Sequence, residues 1–561
     1  MKQTEKNLYR IMSVLFLAVF LPVVFCVFLF GSKMNYTDYL KPTLLFPEIA
    51  VFFLALPLAG LSIFLIWLGS KKELEGKKSL IVSAVLVAVT IPLYFLSRYI
   101  AKEIAFHIGW DVMVVDGAAL QIAEKTPLGY QFYFSIYTNN IPITYILGKI
   151  LEFAKAHDYS TNPEQLWLEV NCFVMSLSVL FSSLTVKRLT KNLPATILSY
   201  LAGVALIGLS AWKIAPYTDT YAQIFPILAV YFYVLYRENK NKIVKGVLLA
   251  VSVFCCIAGG FIKPNLLLLL IALVMTEGFT LFGDFKKKIA YFGILLACAG
   301  IFLFAFKSFE KSIPDRIGLE MNYNIEAGMA EYFYMGLNEE KTGSYNEDDV
   351  TVYGEFAETP RAERDHIIWG RALDRIKEKG VVGLPYFWLR KMTMTFNDGT
   401  FGWFSEVWIE SHLQPIISDN SAMMDKLRAI YWPAVPNPKY GTACQILWFA
   451  LIPGFFGIPL AFLLFRKKDG KEAQEVKETK SSPVFEEGIL LISFLGIFAY
   501  QMLFEARARY LVVFLPVLIV MSVVGFCKMS SWIPNKVAKK TDDAVEQPQA
   551  EQIVNEAADG E

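Results

Sequence analysis

The sequence has few residues of the kinds that usually hold metals. Its four histidines are widely separated and show no ligand spacing (His107, His157, His366 and His412), so we expect each to be structural. None of its seven cysteines stands in a Cys-x-x-Cys pair. All seven lie in or beside apolar segments, and we interpret them as small buried hydrophobic side chains. No metal centre, disulfide or bound cofactor is therefore predicted.

The sequence also lacks an excess of charge of either sign. Its 53 basic and 52 acidic residues leave a net charge of +1, which gives no reason to expect a nucleic acid partner. It contains no Walker-type phosphate loop and no GxGxxG in a strand–helix context, so no nucleotide site is predicted. No internal repeat at a fixed period is present either, although many transporters are built from such repeats.

Apolar residues dominate the sequence. Of 561 residues, 55% are hydrophobic and 15% aromatic, and the mean hydropathy is +0.43. This is too apolar for one soluble core, so we predict an all-α polytopic membrane protein. A spanning helix needs about 20 apolar residues. On that criterion we predict about twelve transmembrane helices, near 11–31, 46–69, 79–98, 165–186, 193–212, 219–236, 243–262, 265–283, 289–308, 443–465, 484–504 and 509–528. The first is read as a retained anchor.

Basic residues follow every even-numbered predicted span. Short cytoplasmic loops are enriched in lysine and arginine, so both termini are predicted in the cytoplasm and the odd-numbered exits outside. This orientation requires that 140–156, whose polar side holds Lys149, Glu152 and Lys155, lies flat on the outer surface as an interfacial helix. The basic residues used are Lys71, Lys72, Lys77, Lys78, Lys187, Arg188, Lys191, Arg237, Lys240, Lys242, Lys286, Lys287, Lys288, Arg466, Lys467 and Lys468.

Four parts of the chain are predicted to differ in role. Residues 1–308 form an N-terminal membrane module that contains a first large outer loop, about 99–164. Residues 309–441 form a small extracytoplasmic domain or lid, in which Thr359 as N-cap and Pro360 as first residue open a helix that closes at Gly380. Residues 442–532 form the C-terminal membrane helices. The loop 468–482 is predicted to be mobile and cytoplasmic, and the tail 533–561 disordered and cytoplasmic.

Ionisable residues stand at the outer ends of several predicted spans. Such groups near membrane depth are costly and usually functional. Because all of them follow odd-numbered spans, they can converge on one outward cavity, where a carboxylate base and cations suit the attack of a hydroxyl on a phosphate-linked substrate. They are Asp111 and Asp116, Asp219, Lys263, and Glu505, Arg507 and Arg509.

Each of these residues also has a simpler interpretation. Asp111 or Asp116 can act as the N-cap of the segment 112–124, and Asp219 can cap the sixth span. Lys263 can anchor a helix end at the interface, and Arg507 and Arg509 can reach towards lipid headgroups. Two carboxylates without further ligands are also weak evidence for a divalent cation.

The order of motifs along the chain resembles a known family. Asp111 in an early outer loop is followed by Tyr137-Thr138-Asn139-Asn140-Ile141-Pro142, Tyr217-Thr218-Asp219-Thr220, Ile262-Lys263-Pro264, Tyr334-Met335-Gly336-Leu337-Asn338, Lys391 to Asn397-Asp398-Gly399-Thr400, and Arg509-Tyr510. This set resembles the bacterial polytopic glycosyltransferases of GT-C type, relatives of protein O-mannosyltransferases and lipid A aminoarabinose transferases, and most of all their Gram-positive branch. The resemblance covers about 110–510.

The resemblance implies an enzyme with a GT-C-like bundle. Such an enzyme takes a sugar from a polyprenyl-phosphate donor, here undecaprenyl phosphate, and transfers it with inversion on the outer face of the bacterial plasma membrane. The acceptor would be a cell-envelope glycan or lipid, such as wall polysaccharide, teichoic acid or glycolipid. Asp111 would be the base, with Asp116 or Asp219 as a second acid. Lys263, Arg507 and Arg509, and then Arg390 and Lys391, would bind the donor phosphate, and Trp110, Tyr137, Asn139, Asn140, Asn397 and Asp398 would line the pocket.

The sequence departs from the family pattern at two points. About three spans precede the catalytic loop where related enzymes commonly have one. Asp111 is followed by Val112, so the Asp-Glu pair of the protein mannosyltransferases is missing, which argues against a protein acceptor. A transporter or flippase of lipid-linked sugars is the alternative function, because it would also need many spans and buried charges around a cavity.

Overall fold

The computed structural model describes residues 3–34, 41–70, 72–159, 162, 164–283, 285–354, 356–407, 412–416, 422–434, 436–464 and 487–533. The loop 468–482 and the part of the predicted tail after residue 533 lie outside these ranges. The first half of the described chain contains α1 (Gln3–Leu29), α2 (Glu48–Gly69), α3 (Gly76–Ile104), α4 (Trp110–Glu124), α5 (Gln131–Ile136), α6 (Ile141–Ala156), α7 (Glu164–Thr190), α8 (Leu193–Gly203), α9 (Thr218–Tyr221), α10 (Ile224–Glu238), α11 (Lys242–Ile262), α12 (Leu267–Leu281) and α13 (Phe285–Ile317).

The second half adds eight helices and completes a two-stranded ladder. The helices are α14 (Met329–Met335), α15 (Arg361–Phe396), α16 (Trp403–Glu406), α17 (Ala422–Tyr431), α18 (Pro438–Leu451), α19 (Gly457–Leu464), α20 (Gly488–Leu503) and α21 (Leu515–Ser530). The antiparallel ladder pairs β1 (Phe106–His107) with β2 (His412–Pro415). It ties the segment just before α4 to the distant segment 412–415.

Asparagine side chains begin several of the helices. Asn192 accepts a hydrogen bond from the backbone of Ala195 at the start of α8, and Asn241 and Asn437 do the same for α11 and α18. A side-chain oxygen at this position satisfies an N–H that has no partner within the helix. The loops between spans therefore fix where the apolar helices start.

Nine helical stretches among the described residues are long and apolar enough to cross a bilayer. They are Gln3–Leu29, Glu48–Gly69, Gly76–Ile104, Glu164–Thr190, Lys242–Ile262, Pro264–Leu281, Lys288–Ile317, Pro438–Leu464 and Ala508–Ser530. An all-α polytopic membrane protein is therefore confirmed.

The predicted number of about twelve spans is not confirmed. The stretch predicted at 193–212 is helical only over Leu193–Gly208, and the one at 484–504 only over Gly488–Leu503. The stretch predicted at 219–236 is interrupted between Tyr221 and Ile224. A helix of about 16 residues rises about 24 Å, which is less than the hydrocarbon core of about 30 Å. Hydropathy alone does not reveal these interruptions.

The helices differ in how much of their surface lies inside the protein. In the stretch Ala508–Ser530, 89% of the apolar 18-residue segment is buried inside the protein, and α21 within this stretch packs on α2, α7, α8, α10 and α19. In contrast, only 17% and 11% of the corresponding segments of Gly76–Ile104 and Lys288–Ile317 are buried. Apolar side chains left exposed at that level require lipid around them. The C-terminal span is therefore central, and α3 and α13 are peripheral.

Two predicted elements outside the spans are present as helices. α6 corresponds to the predicted interfacial helix 140–156 and packs against α4, α7 and α13; its placement flat on the membrane stays a prediction. α15 begins at Arg361 with Pro360 at the N-cap, so the prediction of Thr359 as N-cap was wrong by one residue. The predicted end at Gly380 is a break, because this residue has φ +63° and the helical path resumes after it.

Candidate active site

Asp111 lies in the first turn of α4, immediately after a strained residue. Trp110 has φ +42°, a conformation that is unfavourable for a large side chain. Gly109 occupies the N-cap, so the interpretation of Asp111 as the N-cap was wrong. Asp111 is therefore the second residue of the helix, directly after the residue with positive φ.

The Asp111 carboxylate is held by two tyrosine hydroxyls. Tyr133 donates to Oδ1 at 2.7 Å, and the Tyr217 hydroxyl, whose single hydrogen is shared between Asp111 and Asn140, lies 3.3 Å from Oδ2. The Asn140 side chain links the two phenols, donating to Tyr133 at 2.6 Å and accepting from Tyr217 at 2.9 Å. Burial together with the negative charge of Asp111 raises the pKa of both phenols far above the usual value, so they remain donors. The hydroxyls orient the carboxylate without carrying charge.

Lys263, which is partly exposed, forms an ion pair with the buried Asp219 close to this acid. Their Nζ and Oδ1 atoms are 2.8 Å apart, and Asp219 is only 1% exposed. Asp219 lies in the first turn of α9, directly after Tyr217 and Thr218, and Lys263 follows α11. Lys263 also lies over the Tyr510 ring at 5.2 Å. Lys263 thus lies at the end of a candidate span, and Asp219 lies in a short helix before α10.

Two arginines continue the charged group. Arg507 pairs with Glu406 at 3.0 Å and Glu505 at 3.3 Å. Arg509 lies 3.9 Å from Asp219 and 3.8 Å from Glu406, and its buried Nε makes no hydrogen bond within the described structure. The Arg509 guanidinium therefore lies near two carboxylates, but its Nε–H makes no hydrogen bond to either of them.

Aromatic rings separate Asp111 from the cations. The Arg509 guanidinium lies 4.3 Å from the centre of the Trp110 ring, and the Trp110 and Tyr217 rings meet edge to face at 5.6 Å. Tyr217 in turn contacts Asp111 through its hydroxyl. Trp110 and Tyr217 thus contact the cationic group on one side and the Asp111 carboxylate on the other. This arrangement suits a site with a base at one end and an anion-binding group at the other.

Other predicted site residues have different partners. The fully buried Lys391 donates to the carbonyl oxygens of Gly336 at 2.7 Å and Met502 at 3.2 Å, and also to that of Phe504. Arg390 pairs with the exposed Glu339. Lys391 therefore holds α15 to the segment 502–504, and Arg390 makes its ion pair within the region 309–441. No contact joins either side chain to Asp111 among the described residues.

The predicted Asn-Asp-Gly turn is present, and its aspartate stabilises the turn. Asp398 accepts hydrogen bonds from the Thr400 backbone and hydroxyl, both at 2.7 Å, and from the Gly402 backbone at 2.8 Å. Asn397 beside it is buried, and Asn139 donates to Asn140 at 3.3 Å. Asp398 therefore stabilises the backbone of residues 400–402, which lies next to Glu406.

Asp116 lies inside α4, so its interpretation as an N-cap was wrong. It lines a small internal pocket together with Glu164, Val112 and Trp167. Burial, and then repulsion by Glu164, raises the pKa of the Asp116 carboxyl well above its usual value. Burial therefore disfavours the charged form of Asp116, whereas the Asp111 carboxylate accepts a hydrogen bond from Tyr133.

Sequence reasoning missed Glu406, Tyr133 and Tyr217 as site residues. Glu406 is 2% exposed and lies between both arginines. Its only signal was an acid inside the aromatic stretch 401–407. Gly402 lies against Glu406, since a Cβ on Gly402 would come 2.7 Å from the Glu406 Oε1 atom.

The described residues contain no group of three or more His, Cys, Asp or Glu side chains able to hold a metal ion.

Comparison with known proteins gives one result. Neither the curated proteins nor the solved structures contain a match to the chain. The sequence model of one family matches residues 8–529, which covers nearly all of the described structure. The chain therefore belongs to the family described as "conserved hypothetical integral membrane protein".

Proposed function

We propose that this protein is a membrane glycosyltransferase that uses a polyprenyl-phosphate sugar, with Asp111 as the catalytic base. The supporting observation is the arrangement of one oriented carboxylate beside a buried cationic group across the Trp110 and Tyr217 wall. The order of motifs that resembles GT-C enzymes adds to this support. The alternative of a lipid-linked sugar transporter has no specific contact in its favour.

The proposed reaction is a direct displacement. The hydroxyl oxygen of the acceptor attacks the anomeric carbon of the donor sugar and forms the new glycosidic bond. The bond from this carbon to the phosphate oxygen breaks, and its electron pair leaves with polyprenyl phosphate. Asp111 takes the proton of the hydroxyl, as a base within hydrogen-bond reach can do. Attack from the face opposite the phosphate inverts the anomeric carbon.

The leaving phosphate needs positive charge more than a proton. Arg509 is the best candidate to supply it, because its distances to carboxylates, 3.8 and 3.9 Å, are longer than those of Arg507, 3.0 and 3.3 Å, and arginine matches phosphate oxygens in geometry. Lys263 and Arg507 support it from either side. In the absence of donor, Glu406 and Glu505 balance the charge of Arg507. The donor phosphate would therefore compete with these carboxylates for the cations.

The proposal places this reaction at the outer face of the bacterial plasma membrane, with both termini in the cytoplasm. Peripheral helices such as α3 and α13 expose apolar side chains to lipid, so the donor's polyprenyl chain can remain within the bilayer. Envelope glycans and lipids are the acceptors that are available at that face.

Two aspartates on one helix provide the test. Purified protein in liposomes would be given radiolabelled undecaprenyl-phosphate sugars and isolated cell-envelope acceptors, and transfer would be counted. Asp111→Asn is expected to lower kcat about 10²- to 10⁴-fold, the usual contribution of a general base. Asp116→Asn, the matched control, is expected to keep near wild-type activity, since Asp116 lines an internal pocket beside Glu164 that Asp111 does not line.

A folded Asp111→Asn variant that transfers sugar at the wild-type rate would contradict the assignment of the base. Folding of both variants would be checked by their size-exclusion profiles and melting temperatures. Loss of transfer in Asp116→Asn alone would instead assign the base one helical turn later. Export of intact lipid-linked sugar by wild-type protein without transfer would favour the transporter.

A further inference from the structure

A row of aromatic side chains leads from Asp111 to the protein surface. Tyr133, whose hydroxyl binds Asp111, has its ring 5.0 Å from that of Tyr137. The Tyr137 hydroxyl is 3.2 Å from that of Tyr353, and the Tyr353 ring lies 6.1 Å from Phe132. We call these four residues the aromatic strip. It joins α5, beside the carboxylate, to the outer region that contains Tyr353.

The outer end of the strip is unusually exposed for such large apolar groups. Phe132 is 58% exposed and Tyr353 is 43% exposed, whereas Tyr133 and Tyr137 are partly buried. Both exposed residues lie outside the candidate membrane spans among the described residues. Adjacent exposed rings that continue into a polar site are typical of a binding surface.

The strip alternates apolar ring faces with hydroxyl groups. A sugar ring has the matching pattern, because its C–H face packs on an aromatic ring while its hydroxyls make hydrogen bonds to phenols. A lipid chain would contact the ring faces only and would make no use of the hydroxyls. A saccharide laid on the strip would bring one end to Asp111, where the acceptor hydroxyl has to be.

The charges near the strip favour an uncharged saccharide. Asp111 lies at its inner end, and the exposed Glu347 and Asp348 directly precede the segment of Tyr353. Glu326, which accepts from Thr138 beside Tyr137, is neutralised by Arg361. Arg507, which lies 5.7 Å from the ring of Tyr345 in the same cluster as Tyr137, is paired with Glu406 and Glu505. A phosphate-rich polymer would meet negative charge along this path, and a neutral glycan would not.

We infer that the aromatic strip is the acceptor-binding site and that the acceptor is a neutral glycan rather than a teichoic-acid-like polyanion. This inference rests on the proposed function for the chemistry at Asp111. The binding of a glycan to the strip can be measured without any transfer.

The binding experiment uses the full chain in detergent and no donor. Envelope oligosaccharides would be separated by anion exchange into a neutral and a phosphate-bearing fraction, fluorescently tagged and titrated by fluorescence polarisation. Wild-type protein is expected to bind the neutral fraction at least about tenfold more tightly than the phosphate-bearing one. Phe132→Ala and Tyr353→Ala are each expected to weaken neutral binding about five- to tenfold. The control is Tyr386→Ala, which removes a ring that is 51% exposed on α15, away from the strip.

The possible outcomes separate this inference from the proposed function. Equal binding by wild type and both strip variants, or preference for the phosphate-bearing fraction, would overturn the inference even in an active enzyme. Equal weakening by Tyr386→Ala would also overturn it, because the effect would then not be local. Strip-dependent binding of neutral glycans by a protein that transfers no sugar would support the inference and count against the transferase.

Discussion

Lys391 and Lys263 carry the same ammonium group in two different settings. Lys391 is fully buried and its three N–H donors meet three carbonyl oxygens, from Gly336, Met502 and Phe504. Lys263 is partly exposed and faces a carboxylate next to the proposed phosphate site. Lys391 has no N–H group left for a ligand, so we assign it to the stability of the fold. We assign Lys263 to the proposed binding of the sugar donor.

Lys391→Ala is expected to destabilise the protein by about 3 kcal/mol or more, because it leaves three carbonyl oxygens without their donor. The measurement is thermal unfolding in detergent, followed by intrinsic fluorescence. Lys377→Ala on the same helix is the control, since its pair with Asp374 is exposed and worth about 1 kcal/mol or less. A melting temperature equal for Lys391→Ala and wild type would refute the structural role.

At the level of secondary-structure elements, α21 is held by close contact between backbones. A Cβ on Gly525 would lie 1.7 Å from the Gly454 carbonyl oxygen, and a Cβ on Gly457 would lie 2.0 Å from the Gly525 carbonyl oxygen. Small residues allow membrane helices to approach this closely, and dispersion then stabilises the pair. The central span therefore depends on glycines at one crossing with the 438–464 stretch.

Gly525→Ala is expected to lower the stability by about 1–3 kcal/mol, since the extra methyl group forces the two backbones apart. Gly293→Ala on the peripheral α13 is the control, because a Cβ there meets nothing within 4 Å and alanine favours the helix. Melting temperatures of the two variants would be compared. If Gly525→Ala melts no lower than Gly293→Ala, the crossing does not need glycine.

At the level of the whole molecule, the orientation in the membrane decides whether the proposed site can meet its substrates. Basic loops predict that the exits of odd-numbered spans, and with them Asp111, face outside. The contacts of α6 with α4, α7 and α13 place it on the same side of the fold as α4. If the predicted orientation is reversed, Asp111 faces the cytoplasm instead of the outside.

Single-cysteine variants test this orientation. A membrane-impermeant maleimide added to intact cells is expected to label Glu347→Cys and His157→Cys, both exposed and predicted outside. It is not expected to label Lys240→Cys, which is exposed and predicted in the cytoplasm. Wild-type protein measures background from the seven native cysteines. Labelling of Lys240→Cys alone in intact cells would reverse the orientation and remove the site from the outer face.

The sequence by itself determined that this is an all-α integral membrane protein, because apolar runs of spanning length identify a membrane protein without any knowledge of contacts. It also singled out Asp111, Asp219, Lys263, Arg507 and Arg509, since ionised groups are rare among such runs. Only the tertiary structure decided that Lys391 binds distant backbone carbonyls, that Asp398 binds its own turn, that Glu406 joins the arginines, and that several predicted spans are short or interrupted. These outcomes depend on which backbone groups lie within hydrogen-bond reach after distant segments pack, and hydropathy does not record this.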